Sequence, residues 1–146
     1  MLAKQHITLT IIALAATIVS ASETQQVPIF IGTDELEMML MVRSNSDLKI
    51  FDCTVNSSPD SLISFHQSHV PRSEFIDLRY FRNMSSKYPF MLPGVDQFID
   101  FMKLYSIKKS TRVVLYDTMS GYYATRVHWM LRTYGHTQVS VLDGGF

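Results

Sequence analysis

The chain has 146 residues, enough for one domain with a modest core. Its 13 Lys and Arg balance 13 Asp and Glu, so no net field favours nucleic acid or an anionic membrane surface. One cysteine, Cys53, excludes an internal disulfide framework and a cysteine-rich zinc site; the five histidines are scattered without ligand-spaced partners, so neither metal nor cofactor is expected.

The first 22 residues read as a leader. Ile7 to Val19 (ITLTIIALAATIV) is an apolar run after Lys4, followed by the small residues Ser20, Ala21 and Ser22. That is the layout of a secretory signal peptide, whose apolar core runs to roughly 7–15 residues, with a buried or membrane-associated N-terminal helix as the alternative. It is short of the roughly 20 residues of a membrane span. The first Arg is Arg43, against an Arg-rich mitochondrial presequence. Export makes Asn56-Ser57-Ser58 and Asn83-Met84-Ser85 candidate glycosylation acceptors.

From residue 28 onward strands and helices alternate. Ile29 to Ile31 predicts a short strand, and Thr33 an N-cap for a helix from Asp34 to about Val42, with Leu36, Met39 and Leu40 on one face. Leu48 to Cys53 (LKIFDC) predicts a buried strand, Thr54 to Asp60 a polar loop, and Leu62 to Gln67 a short helix. Pro71 holds Val70 extended, and Phe75 to Leu78 predicts another strand. An irregular stretch to Pro93 precedes a helix from Gly94 to Tyr105, with Val95, Phe98, Ile99, Met102 and Tyr105 at spacings of three and four. Val113 to Tyr116 is the most hydrophobic strand. A short polar loop from Asp117 to Gly121 leads into a helix from Tyr122 to Tyr134, with Gly135 at its left-handed cap. Val139 to Leu142 closes the series. Repeated β–α alternation predicts an α/β domain with a mostly parallel sheet flanked by helices. Ligands in such sheets sit beyond the carboxyl ends of strands, where Asp117 stands.

Seven stretches, in order, resemble the rhodanese family of thiosulfate and 3-mercaptopyruvate sulfurtransferases: IFDC, FHQSHVP, FIDL, MLP, VVLYD, GYYATRVHWMLRTYGH and VSVLDGGF. PIFIGTDELEMML extends the resemblance towards the N-terminus. The resemblance implies a rhodanese-like three-layer domain over residues 28–146. In the family a cysteine opens the loop after the central strand and carries sulfane sulfur as a persulfide. Asp117 occupies that position here, and a carboxylate cannot form a persulfide. By this resemblance the chain is the non-catalytic, N-terminal half of a tandem sulfurtransferase. Its catalytic partner domain, and a small sulfur-containing anion, are then expected beyond the 146 residues. The alternative is a stand-alone inactive module that binds or regulates.

Other positions follow from the same resemblance. Tyr122 and Tyr123 match aromatics that line the crevice between domains in two-domain relatives, and Arg126 matches an arginine that ties loop and helix together. His69 matches a structural histidine. Arg72 and Ser73 stand where Gly and Ala are usual, and Val55 lies near a position usually aromatic. Cys53, at the end of an earlier strand with no neighbouring base, reads as a buried thiol. Rhodanese-like phosphatases need Cys, five residues, then Arg at this loop, which Asp117 and the distant Arg126 do not supply. The family works mostly in mitochondria or cytosol, so those compartments stand as alternatives to the secretory route.

Overall fold

The computed structural model of the chain describes residues 27–42, 47–55 and 60–146. The leader and Asn56 lie outside them. Among the described residues five strands and four helices alternate: β1 (Phe30–Ile31), α1 (Thr33–Met41), β2 (Leu48–Asp52), α2 (Asp60–Gln67), β3 (Ser73–Phe75), α3 (Val95–Leu104), β4 (Arg112–Tyr116), α4 (Tyr122–Thr133) and β5 (Val139–Leu142). All pairings are parallel and the sheet order is β1-β5-β4-β2-β3. This is the predicted α/β architecture.

The central strands explain why the sheet needs two helical layers. LKIFD, RVVLY and VSVL are almost continuously apolar, and their side chains are buried on both faces. Such runs are stable only when helices cover each side. On one face Phe51, Val113, Leu115, Val139 and Val141 pack with Phe98 and Phe101 of α3 and with Val127, Met130 and Leu131 of α4. On the other, Ile50, Val114, Tyr116 and Leu142 pack with Leu36 of α1 and with Val70. Right-handed crossovers require this division. The connections through α1 and α2 run one way along the sheet, and those through α3 and α4 run back.

The reversal falls between adjacent strands β2 and β4. Chain leaves β2 for one edge and β4 for the other, so their carboxyl ends at Asp52 and Tyr116 flank the topological switch point, where open α/β sheets place ligands.

Three local expectations change. β3 is Ser73–Phe75, not Phe75 to Leu78. Ile76 and Leu78 are buried, but beyond the strand, where Asp77 turns the chain by accepting the Arg79 N–H at 3.0 Å. On α3 the inward stripe is Phe98, Phe101, Met102 and Tyr105, whereas Val95 and Ile99 are exposed. Spacing alone admitted either stripe; the two stacked phenylalanines carry the larger apolar area. Gly32, not Thr33, is the N-cap of α1, with no side-chain cap.

Candidate functional site

β4 delivers Asp117 to the switch point with no solvent exposure. Ser120 and Gly121 follow with φ of +55° and +84°. Two successive left-handed residues curl the loop so that its N–H groups converge, and Gly121 adopts that region without a Cβ penalty. They converge on the Asp117 carboxylate. Oδ1 accepts from Met119 N at 2.7 Å and Gly121 N at 2.8 Å, and Oδ2 accepts from Tyr123 N and Ala124 N, both at 2.8 Å. The last two belong to the first turn of α4, whose N-cap Gly121 has no side-chain cap of its own. A negative group is favourable there. The cradle is thus built, and Asp117 fills it.

Neighbouring strands lock the loop from outside. Cys53 N donates to Tyr116 O at 2.8 Å, and Thr118 N donates to Thr54 Oγ1 at 3.1 Å. Phe146 N donates to Asp117 O at 3.0 Å. Gly145, at φ +69°, passes so close to the same carbonyl that a Cβ would clash with it.

Cys53 lacks the exposure of a reactive thiol. It is fully buried, and its thiol makes only a weak 3.8 Å bond to Phe51 O. Burial first, then the charges of Asp52 and Asp117, push the thiol well above its ordinary range. Sulfur chemistry runs through the thiolate, which this pocket disfavours.

Tyr122, Tyr123 and Arg126 come together. With Phe90, Thr125 and Trp129 they line a cavity of about 340 Å³ on the outer side of α4. The Arg126 guanidinium lies 4.7 Å from the Trp129 ring centroid. Arg126 Nε donates to Phe90 O at 2.9 Å, and Nη2 donates to the same oxygen. Burial holds its pKa below the usual arginine value. Arg126 therefore ties α4 to the segment before α3 and not to the loop ahead of its own helix, as the resemblance implied. Phe90 and Trp129 were not among the expected cleft residues. Trp129 had a signal, three positions after Arg126 on one helix face; Phe90, in irregular chain, had none.

His69 Nδ1 donates to Phe65 O at 2.7 Å, and its ring stacks on Phe65 at 4.4 Å, closing the end of α2. Arg72, at a position the resemblance gives to glycine, has φ of +67°. Val55 packs partly buried against the α3/α4 core. Among the described residues no three His, Cys, Asp or Glu groups are arranged to hold a metal, and no helix is long and apolar enough to cross a membrane.

A parallel three-layer α/β domain with a helix-capped anion loop at its central strand is thus defined by fold and site together. The rhodanese-like domain model matches residues 34–146, and the chain belongs to that family. Chicken (Gallus gallus) thiosulfate sulfurtransferase is 39% identical over 89 residues, 60% of this chain and 31% of that protein. Mouse (Mus musculus) 3-mercaptopyruvate sulfurtransferase is 35% identical over 115 residues, 75% of this chain and 39% of that protein. The crystal structure of the Escherichia coli 3-mercaptopyruvate enzyme SseA superposes with a TM-score of 0.71 at 27% identity, covering 82% of this chain and 46% of that one. This chain therefore spans less than half the length of each of these three relatives.

Proposed function

We propose that residues 28–146 are the non-catalytic, N-terminal half of a tandem sulfurtransferase, with Asp117 in the position of the sulfur-carrying cysteine. One observation carries this reading: the Asp117 carboxylate takes four N–H bonds, two from the loop and two from the first turn of α4, in the place an anion would otherwise occupy. With those donors engaged and a fixed negative group among them, an incoming thiosulfate meets repulsion and no free N–H of this set.

The partner in this reading is a second rhodanese-like domain that carries the nucleophile, and the half described here positions it. The exposed Tyr122 and Trp129, with Phe90 at the same cavity, offer an aromatic face of the kind found at interfaces. Residues 1–22 direct the product into the secretory pathway. A sulfur-containing anion then binds between the halves and not within this loop.

The test is transfer of sulfur from thiosulfate to cyanide. The purified chain is expected to show no turnover above buffer, and the same protein co-expressed with a catalytic rhodanese half is expected to bind it through the aromatic face. Turnover by the chain alone, abolished by Cys53→Ser, overturns the reading.

A further inference from the structure

We propose that Asn83 is an N-glycan acceptor. This rests on the reading of residues 1–22 as an export leader, and goes beyond it by naming the residue modified after export.

The sequon Asn83-Met84-Ser85 has no proline at its middle position. All three residues are exposed, in the irregular segment between β3 and α3. The Asn83 side chain uses only its oxygen internally: Oδ1 accepts from Ser85 N at 3.0 Å. Its backbone is pinned, with Asn83 N donating to Met91 O at 3.0 Å and Asn83 O accepting from Ser86 N at 3.3 Å. A glycan added here displaces nothing from the core.

The surroundings give a bulky hydrophilic group something to do. Met84 is 63% exposed, Tyr88 59% and Met91 48%, and Met91 lies against Asn83 through the bond just described. Apolar side chains gathered on one irregular segment are an association hazard unless covered. A carbohydrate at Asn83 covers them with hydroxyl groups while leaving the sheet and the Asp117 loop untouched.

The chemistry needs one co-reactant, a lipid-linked oligosaccharide diphosphate. The Asn83 carboxamide nitrogen forms a bond to the anomeric carbon as that carbon's bond to the diphosphate oxygen breaks. The nitrogen loses one proton and the lipid diphosphate leaves with the electron pair. No oxidant or reductant is involved.

The experiment expresses the full chain with its own leader in secretory-competent eukaryotic cells, on an Asn56→Gln background that isolates Asn83. A single carbohydrate-dependent mobility shift is expected, removed by peptide-N-glycosidase. It should be absent in Asn83→Gln and Ser85→Ala and retained in Ser85→Thr. No shift overturns the proposal. A parallel chain with an established export signal in place of residues 1–22 locates the failure: a shift there puts the error in the leader, and none puts it in the acceptor. Wild-type protein is also expected to stay soluble where the Asn83→Gln protein associates.

Discussion

Asp117→Asn tests how much of the loop one carboxylate holds. An amide keeps the shape but turns one acceptor oxygen into an NH2 group, which then faces two N–H donors. Bonds to charged groups contribute roughly 1.5–3 kcal/mol each, and an unmatched buried donor costs about 1–3 kcal/mol. The variant is expected to lose about 3 kcal/mol in urea denaturation; a loss below about 0.5 kcal/mol would mean that water already serves those N–H groups. Asp117→Cys asks a different question of the same atom position. Its thiol enters the cradle at the helix N-terminus, which favours the thiolate. The ultraviolet absorbance of the thiolate is expected to rise at lower pH for that sulfur than for Cys53, whose burial pushes its thiol up. Ionisation of both sulfurs over one pH range would show that the loop does not stabilise an anion.

At the scale of elements, one contact fixes the Asp117 loop from the chain after β5 and another fixes α4 to the segment before α3. Gly145→Ala puts a methyl against the Asp117 carbonyl at a positive φ. It should cost on the order of 1–3 kcal/mol, the usual cost of such strain, with larger losses if the backbone cannot shift. Arg126→Ala removes the anchor of α4 on Phe90 O and should loosen the segment from Arg79 to Pro93. Amide exchange is expected to rise in that segment and to stay unchanged in β4. Phe101→Ala in the α3/α4 core should cost about 3–5 kcal/mol, whereas exposed Val95→Ala should cost under about 0.5 kcal/mol.

Those contacts also mark the limit of what the chain reveals before it folds. Strand runs such as RVVLY and VSVL, and Gly135 as a helix end, were legible because burial on both faces and left-handed caps leave direct sequence marks. The Asp117 position was legible from the order of its neighbours. Its four hydrogen bonds were not, because they depend on the φ values of Ser120 and Gly121. Nor was the Phe90 carbonyl, which comes from irregular chain well away in sequence from the arginine it binds. The inward stripe of α3 was ambiguous for a simpler reason: apolar residues occupy two of its faces.

For the whole molecule, acid should be more destructive than its ordinary composition suggests. His136 is buried, neither ring nitrogen makes a hydrogen bond of good geometry, and burial lowers its pKa, only partly opposed by nearby backbone of Thr111 and Gln138. Burial and then Arg132 lower that of His128. Between their depressed folded values and the unfolded value near 6.5, the unfolded chain binds more protons. Their contribution is therefore full above about pH 6.5 and declines as pH falls through that window. Urea midpoints should drop between about pH 7.5 and about pH 5.5, and His136→Gln should flatten that dependence. An unchanged slope would acquit His136.

Strand order also has a consequence in time. Among the described residues β1, the earliest strand, pairs only with β5, the latest. Emerging from a ribosome, Phe30 and Ile31 find no partner until Val139–Leu142 has been synthesised, and β2 must likewise await β4 or β3. Non-local pairing of this kind is slow. The β1 segment therefore stays unpaired until nearly all of residues 30–142 has been made, and must be kept from pairing elsewhere in the meantime.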